Sequence, residues 1–410
     1  MPKTRSSPSL SRRNIIKGMG VAVGWTAASW QRVAGANDRV GVALVGCGNR
    51  GRPLMKGLLG PGSAEIRAVC DVWDERRAQA RTELAAAPGI LDTPAIEDVL
   101  ARADVDAVMV ATPDHLHLKL ALMAIKARKH LYLEKPVIHR FEEGEVLARA
   151  AAGTDRVVMG GTQQRSGAHY LRAKEEIFDR GRLGDVVFAR AIWADFPRQR
   201  RTLPAAPKPD GLDWKRFLGN AAQVPYTPAR YETWRYFPEY GGGLLADILT
   251  HWVDVAQWMM NDAEPQRAVA LGGQYKFNDG RRNPDTVNAL IKYKRWNLMF
   301  ESTVLQVKHP RPSVIFEGSL GTLDIGRDSY TFTPNEGATE IVKAEGDLDK
   351  AHTASFVAAV TGKKTASPNI ATALQACRPV QMALASYWSG LPMQLSTNGK
   401  KIVPARGTQT

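Results

Sequence analysis

The sequence predicts an α/β N-terminal domain with a doubly wound parallel sheet, followed by an α+β C-terminal domain with a large, mostly antiparallel open sheet. A chain of 410 residues is too long for one ordinary hydrophobic core, so two domains are expected. Between residues 37 and 160, short apolar runs alternate with helical segments, which is typical of a parallel sheet. From residue 161 to 410, strand-like runs follow one another at irregular spacing, which favours antiparallel pairing.

A glycine-rich loop opens the first domain. The apolar run Arg39–Val45 leads directly into Gly46-Cys47-Gly48-Asn49-Arg50-Gly51, and a helical stretch begins near Arg50. A strand, a GxGxxG loop and a helix in this order form the phosphate-binding fingerprint of a Rossmann domain. Gly46 permits the tight turn, Gly48 lets the backbone approach a pyrophosphate, and Gly51 allows close packing of helix on strand. The helix N-terminus stabilises the phosphate charge. The loop therefore predicts dinucleotide binding at Gly46, Gly48, Asn49, Arg50 and Gly51.

An acidic residue follows the second predicted strand, Glu65–Cys70. Asp71 lies twenty residues after Gly51, the spacing at which an acid accepts hydrogen bonds from the adenosine ribose and repels a 2′-phosphate. This spacing favours NAD as the cofactor. Arg76 and Arg77 follow closely enough that NADP stays possible. Alternatively, Asp71 caps the helix that comes next.

Two further loops are expected to border the nicotinamide. Strands are predicted at Asp106–Ala111 and His130–Leu133, and the loops 112–117 and 134–136 follow them directly. In doubly wound sheets, ligands bind at the carboxyl ends of the strands. Helices at 118–127 and 141–152 and a strand at 156–160 complete the domain.

The second domain is predicted mainly from its strands. These are Val186–Ala194, Ala268–Phe277, Thr286–Tyr293, Leu298–Val307, Ser313–Gly318 and Gly321–Ile325. Residues 196–238 are rich in proline, arginine and aromatic residues and are expected to form a long loop that could wall a substrate cleft. A late helix is predicted over residues 371–388.

A polar pair stands on an otherwise apolar helix of this domain. A helix that starts near Gly243 places Asp247 and His251 four residues apart on one face, and Asp254 continues that face. A histidine can take a hydroxyl proton while hydride leaves the same carbon, and its pKa normally lies near working pH. The aspartate could hold the substrate or raise the basicity of the histidine. The spacing fits equally well a polar pair that faces solvent or caps a loop.

Three motifs together resemble the Gfo/Idh/MocA oxidoreductase family. They are the glycine loop with Arg50, the tripeptide Glu134-Lys135-Pro136, and the pair Asp247-xxx-His251, in this order. The likeness extends from about Arg39 to near the C-terminus.

The resemblance implies roles for individual residues. Lys135 would contact the reacting hydroxyl of the substrate, and His251 would be the general base or acid with Asp247 as its partner. A cis peptide bond is expected before Pro136. The residues expected to border the cofactor are Thr112, Pro113, His117, Glu134, Lys135 and Gln163. The residues expected to contact the substrate are Gln164, Arg165, Tyr170, Asp247 and His251.

The composition argues against several other functions. The net charge of +14 falls to +8 without the first 36 residues, and the remaining basic residues form no tract interleaved with aromatics, so no nucleic-acid partner is expected. Three scattered cysteines predict neither a disulfide framework nor a zinc cluster. His115 and His117 have no third ligand at suitable spacing, so no metal is expected.

The first 36 residues resemble a twin-arginine signal. Arg12 and Arg13 precede the modestly apolar stretch 18–30, and Ala34-Gly35-Ala36 supplies small residues for cleavage after Ala36. A disordered basic tail is the alternative. With the signal, the twin-arginine translocase is a partner and the protein is expected in the periplasm with its cofactor already bound.

These observations predict an NAD(P)-dependent oxidoreductase that acts on a hydroxyl or keto group of a sugar or cyclic polyol. Because free NAD is not expected outside the cytoplasm, the cofactor should stay bound and be recycled in place. One alternative is a redox-neutral glycosidase or lyase that works through a transient 3-keto sugar, and another is a non-catalytic sugar or cofactor sensor. A homo-oligomer formed through the C-terminal sheet is expected from the family likeness.

Overall fold

The structure, a computed structural model, describes residues 39–194, 196, 200–305 and 311–405. The proposed signal at residues 1–36 lies outside the described residues. Two sheets and the helices packed on them make up the described chain. None of its helices combines the length and the apolar character needed to cross a membrane.

The first sheet is parallel and has six strands in the order β3-β2-β1-β4-β5-β6. Its strands are β1 Val40–Val45, β2 Ala64–Cys70, β3 Leu91–Thr93, β4 Ala107–Val110, β5 His130–Leu133 and β6 Val158–Gly160. Its helices are α1 Gly51–Leu59, α2 Asp74–Glu83, α3 Ile96–Leu100, α4 His117–Lys126 and α5 Glu143–Ala152. The strand order reverses between β1 and β4, as in a Rossmann domain. The parallel α/β prediction is therefore confirmed.

The glycine loop has the conformation that its sequence predicts. Gly46 has a φ of +92°, and a Cβ on it would lie 2.5 Å from the carbonyl oxygen of Ala111. A Cβ on Gly51 would lie 2.0 Å from the oxygen of Gly46, so only glycine lets α1 pack this closely on β1.

The second sheet has ten strands in the order β14-β13-β12-β11-β7-β10-β9-β8-β15-β16. Its strands are β7 Val186–Ala194, β8 Arg267–Gly273, β9 Thr286–Lys292, β10 Asn297–Thr303, β11 Ser313–Gly318, β12 Gly321–Gly326, β13 Ser329–Pro334, β14 Glu340–Lys343, β15 Met393–Leu395 and β16 Ile402–Pro404. Only β7 and β10, among the pairs whose register is resolved, run parallel. The mostly antiparallel open sheet is thus confirmed.

Two strands of this sheet are shorter than the sequence predicts. The strand expected over Ala268–Phe277 ends at Gly273 because the next backbone amides leave the sheet. The carboxylate of Asp285 accepts hydrogen bonds from the amides of Tyr275 at 2.9 Å and Lys276 at 2.8 Å. The strand expected over Leu298–Val307 ends at Thr303, and Val307 itself lies outside the described residues.

The helices of the second half of the chain form two groups by position. Those that precede β8 are α6 Ala168–Ala173, α7 Trp214–Leu218, α8 Pro228–Glu232 and α9 Thr250–Met260. Those near the C-terminus are α10 Leu348–Val360 and α11 Ile370–Ser389. Ile370, Ala373 and Cys377 of α11 pack in the core of the first sheet, and Val380 and Ala383 pack in the core of the second. One helix therefore belongs to both cores.

Residues 211–240, here called the cover segment, lie against the first domain. The segment contains α7 and α8, whose first turns are capped by Asp213 and Thr227. The amide of Asp213 donates to the carbonyl of Val72 at 2.8 Å. Phe217, Leu218, Ala229, Phe237 and Tyr240 form a small core of their own. The long loop predicted over 196–238 is thus partly helical, and it does wall a cleft.

Candidate active site

A cavity of about 850 Å³ lies between the carboxyl edge of the first sheet and the second domain. The first domain contributes the glycine loop, Asp71, the loop 112–114 and the side chains of Glu134 and Lys135. The cover segment closes one side, and residues near the second sheet form the far wall. This is the position at which doubly wound sheets bind their ligands.

The glycine-loop end of the cavity fits a dinucleotide. Gly46, Gly48, Asn49 and Arg50 line it. A Cβ built on Gly48 meets no heavy atom of the described chain within 4 Å, because this position faces open space. The backbone at Gly48 is therefore free for the close approach of a pyrophosphate, as the sequence predicts. Gly51 packs behind the loop and does not line the cavity.

Asp71 lies at the adenosine side of this end. One carboxylate oxygen accepts from the amide of Cys47 at 2.7 Å and the other from the amide of Trp73 at 3.0 Å. Burial raises the pKa of the carboxyl, and these two hydrogen bonds oppose the shift. Arg76 lines the cavity, whereas Arg77 is held by Asp92 at 2.5 Å. Of the two arginines that left NADP open, only Arg76 lines the cavity.

Arg50 ties the glycine loop to two other parts of the chain. Its Nε donates to Glu134 at 2.9 Å, and its two terminal nitrogens donate to Asp349 at 2.6 and 2.9 Å. Gln163, with its amide oriented to satisfy both neighbours, accepts from Arg50 at 3.1 Å and donates to the carbonyl of Gly161 at 3.2 Å. Glu134 also accepts from the amide of Lys135 at 3.0 Å. The expected cofactor residues Arg50, Glu134 and Gln163 thus form one network at the cavity wall.

His117 does not line the cavity, so the structure does not bring this residue to the expected cofactor contact. Its ring is buried, with Nδ1 2.7 Å from the carbonyl oxygen of Pro136 and Nε2 2.9 Å from that of Thr112. Burial lowers the pKa of the imidazole. The side chain braces the loop of Thr112 and Pro113, which do line the cavity, against the cis peptide bond between Lys135 and Pro136.

Lys135, Asp247 and Arg235 meet at the other end of the cavity. The Nζ of Lys135 donates to the carboxylate of Asp247 at 2.5 Å and to its carbonyl oxygen at 2.7 Å. The Nε of Arg235 lies 2.9 Å from the second carboxylate oxygen. Burial alone would raise the pKa of Asp247, but the two cations outweigh it and hold this pKa below its usual range. The aspartate is therefore ionised, with both oxygens engaged.

His251 lies beside this cluster without a hydrogen bond to Asp247 among the described contacts. Its Nδ1 is 3.1 Å from the side-chain oxygen of Gln164, and its Nε2 is 3.4 Å from a terminal nitrogen of Arg327. Burial, followed by the charges of Lys135 and Arg327, lowers the pKa of the imidazole well below its usual value. A neutral ring that donates from Nδ1 to Gln164 has Nε2 as its acceptor, and in the described structure this atom faces the terminal nitrogen of Arg327 at the cavity wall.

The helix that carries this pair is confirmed, but its polar face divides. A helical turn begins at Gly243, a π-helical turn spans Leu245–Leu249, and α9 follows. Asp247 and His251 both reach the cavity. Asp254 instead is buried, and its two oxygens each lie 2.9 Å from the Nε of Arg165.

Three of the residues expected to contact the substrate do not line the cavity. Neither Arg165 nor Tyr170 lines the cavity: Arg165 is consumed by the ion pair with Asp254, and Tyr170 is fully buried in the core of the second domain. Gln164 is buried behind His251, whose tautomer it fixes, and it does not line the cavity either.

Four residues of the site were not found from the sequence. The end of the cavity that holds Lys135, Asp247 and His251 is here called the reacting end. It is also lined by Arg235, Arg327, Trp193 and Asp114. Burial raises the pKa of Asp114 to about 8, which Arg235 opposes and Asp247 reinforces. Asp114 stood in a loop already assigned to the cofactor, and Arg235 stood in the arginine- and aromatic-rich segment. No local pattern marked Arg327.

Comparisons with known proteins agree with this architecture. A family model described as an oxidoreductase family with an NAD-binding Rossmann fold matches residues 40–162, and the model of the GFO/IDH/MocA C-terminal domain matches residues 170–324. A 1,5-anhydro-D-fructose reductase of Ensifer adhaerens is 26% identical over 74% of this chain and 80% of the relative. An inositol 2-dehydrogenase of Rhizobium meliloti is 26% identical over 55% of this chain, and the match spans only 56% of that relative.

Solved structures share the fold at low identity. A levoglucosan dehydrogenase in complex with NADH and levoglucosan superposes with a TM-score of 0.70 at 18% identity, over 87% of this chain and 99% of that chain. The WlbA dehydrogenase from Bordetella pertussis in complex with NADH and UDP-GlcNAcA gives 0.67 at 19% identity, over 87% and 99%. With both consecutive domains matched over more than half of its length, the chain belongs to the Gfo/Idh/MocA family of NAD-binding oxidoreductases.

Proposed function

We propose that the protein transfers hydride between a tightly bound NAD and a CH–OH or C=O group of a sugar or cyclic polyol. The observation that carries this proposal is the meeting of Lys135, Asp247 and His251 at one end of a cavity whose other end is an open glycine loop. Relatives named for 1,5-anhydro-D-fructose, levoglucosan and inositol support a polyhydroxylated ring as the substrate.

His251 would handle the proton. The nicotinamide, when bound, accepts or donates the hydride and its two electrons. In the oxidation direction, the hydroxyl proton passes to Nε2 of His251 as the C–H bond breaks and the C=O bond forms. The lowered pKa keeps the imidazole neutral and ready to accept, and reduction reverses the transfer.

Lys135 would polarise the reacting oxygen. An ammonium group has three donors, and two of them are directed at the carboxylate and carbonyl of Asp247. The third is left for the substrate oxygen. A positive charge there lowers the proton affinity of the hydroxyl, which helps a base with a low pKa to remove its proton.

Paired variants test this function. For Lys135→Ala and His251→Ala, we expect kcat for sugar oxidation to fall about 10³-fold, in the range of lost acid–base catalysis, with NAD still bound. Lys129→Ala, a lysine outside the cavity, is the matched control. Full activity in both variants would exclude Lys135 and His251 from the catalytic machinery, and a wild type that binds NAD but oxidises no sugar would favour a sensor.

The carboxylate of Asp71 supports NAD over NADP, and relatives solved with NADH support the same choice. The cover segment, which walls the adenosine side, supports retention of the cofactor. Mass spectrometry after denaturation of protein purified from its native compartment would identify the dinucleotide. Release of free NAD at each turnover would contradict retention.

Export and assembly complete the proposal. We propose that residues 1–36 direct the protein through the twin-arginine translocase to the periplasm, and that cleavage follows Ala36. Replacing Arg12 and Arg13 by lysine should leave the precursor in the cytoplasm.

We also propose that the protein forms a homo-oligomer through the second sheet. Exposed apolar side chains on that sheet support it, namely Val187, Leu271, Leu290 and Ile341. Sedimentation of Leu271→Glu against wild type would test it.

A redox-neutral glycosidase is the second candidate. A glycosyl hydrolase family 109 protein of Solibacter usitatus is 28% identical over 36% of this chain and 37% of that relative. Such an enzyme would oxidise a sugar at C3, eliminate the neighbouring group, add water and reduce the carbon again. Release of the aryl group from aryl glycosides without net NADH formation would favour this candidate over the first.

A further inference from the structure

We infer that Arg327 binds a carboxylate of the substrate, so that the sugars oxidised here are sugar acids. This inference rests on the proposed function, because it names the substrate class of the same site. Arg327 lies in the turn between β12 and β13 and lines the reacting end of the cavity.

The guanidinium is held at the position where the chemistry would occur. A terminal nitrogen lies 3.4 Å from Nε2 of His251, and the central carbon lies 4.5 Å from the centre of the Trp193 ring. The stacked indole fixes the plane of the guanidinium. A group bound by Arg327 would therefore sit on a carbon close to the reacting hydroxyl.

Arg327 differs from the neighbouring cations in its pairing. Lys135 and Arg235 share Asp247, and Arg50 is paired with Glu134 and Asp349. No carboxylate within the described ranges forms an ion pair with Arg327, and its Nε is buried with no hydrogen-bond partner there. Burial, followed by the charge of Arg50, lowers its pKa.

Arg327 is partly buried, and the charges of Asp349 and Glu134 act on it without forming an ion pair, so an anionic ligand would offset the remaining cost of its desolvation. A guanidinium matches the planar fork of a carboxylate, with which it forms two parallel hydrogen bonds. A phosphate dianion generally needs several donors, and the neighbouring cations are already committed to carboxylates. Arg327 is the one arginine of the described cavity wall that forms no ion pair with a carboxylate. It therefore fits a monoanionic carboxylate best.

Matched substrates provide the test. The NAD-loaded wild type is assayed separately on two matched pairs of substrates, D-glucose against D-glucuronate and D-galactose against D-galacturonate. The 6-phosphates of the two neutral sugars are assayed as well. We expect wild type to prefer at least one acid over its neutral partner. Arg327→Gln should reduce the ratio of kcat/KM for that acid to kcat/KM for its neutral partner roughly 30- to 100-fold and weaken the calorimetric affinity for the acid. Arg378→Gln, on the surface, is the control.

A merely structural role for Arg327 would give a different result. If the residue only holds His251, Arg327→Gln lowers kcat for neutral and acidic sugars alike and leaves both their ratio and the affinity for the acid unchanged. That result overturns the inference, as does a preference of wild type for neutral sugars or for the 6-phosphates. If wild type oxidises no sugar but binds an acid in an Arg327-dependent way, the proposed function fails and the carboxylate site stands. Absence of both binding and turnover of every acid overturns the site.

Discussion

The two ends of the cavity are built by different means. The adenosine end is built from local stretches of chain, because its phosphate loop lies within six consecutive residues and a continuous segment covers it. The reacting end consists of side chains from six parts of the chain, namely Asp114, Lys135, Trp193, Arg235, Asp247 with His251, and Arg327. A motif can encode the first end, whereas only the tertiary fold assembles the second.

Asp247→Asn tests the reacting end and should have the largest effect. It leaves Lys135 and Arg235 buried without their shared counter-charge, so we expect kcat to fall about 10³-fold and the free energy of unfolding to fall by about 3 kcal/mol. Denaturant unfolding and steady-state kinetics measure the two effects. Asp155→Asn, at an exposed ion pair with Arg128, is the control. Loss of NAD binding in Asp247→Asn would contradict the separation of the two ends.

The low pKa of Asp247 also gives a pH dependence. Since its folded pKa lies below the unfolded value of about 3.9, its contribution to stability is complete above that pH and is lost as the pH falls further. Acid unfolding of Asp247→Asn should therefore depend less steeply on pH than that of wild type below about pH 4.

Two glycine substitutions test the adenosine end. Gly48→Ala adds a methyl group to open space, so the fold should be kept while NAD affinity falls about 100-fold through lost approach to the pyrophosphate. Gly51→Ala instead forces a Cβ within 2.0 Å of the Gly46 oxygen and should lower the melting temperature. Calorimetric titration and thermal unfolding separate the two. Equal effects of both variants on stability would argue against an open cradle at Gly48.

Phe217 and Phe237 test whether the cover segment retains the cofactor. Both lie in its small core, but only Phe217 lines the cavity. We expect Phe217→Leu to speed NAD dissociation about 10-fold and Phe237→Leu to change it little, because only the first alters the wall of the site. Stopped-flow displacement of bound NADH measures the rate. An equal increase in both variants would mean that retention depends on general stability of the segment.

Asp71→Asn should have a smaller effect, on cofactor choice. Removing the charge weakens hydrogen bonds to the ribose and ends the repulsion of a 2′-phosphate, so the preference for NAD over NADP should shrink about 10-fold. Calorimetric affinities for both dinucleotides measure it. An unchanged preference would show that Asp71 acts only through the amides of Cys47 and Trp73.

The smallest expected change is in the pH profile of oxidation. The pKa of His251 is lowered by burial and by the charges of Lys135, Arg327 and Arg50, so the imidazole stays neutral as the pH falls through its ordinary value near 6.5. We expect kcat to change less than about 3-fold between pH 8 and pH 6, and to fall only at lower pH. An acid limb near pH 6.5 would contradict a buried, neutral base.

The features that the sequence predicted lie mainly at the adenosine end of the cavity, and those that it missed lie at the reacting end. The glycine loop, Asp71 and both sheets were predicted because their signals are local. Arg165 and Tyr170 were misplaced because nearness in the chain is not nearness in space: Arg165 pairs with Asp254 and Tyr170 enters the core. Arg235 and Arg327 were missed because the contacts that bring them to the cavity join residues far apart in the sequence.

The helix shared by both cores has a consequence for how substrates are selected. Because one half of α11 packs under each sheet, the two domains cannot rotate against each other without unpacking apolar side chains. The ion pair of Arg50 with Asp349 fastens the glycine loop to α10 in the same way. The spacing between the glycine loop and His251 is therefore fixed by packing within the protein itself. Discrimination among sugars would then depend on complementarity with a rigid template, with little contribution from domain closure.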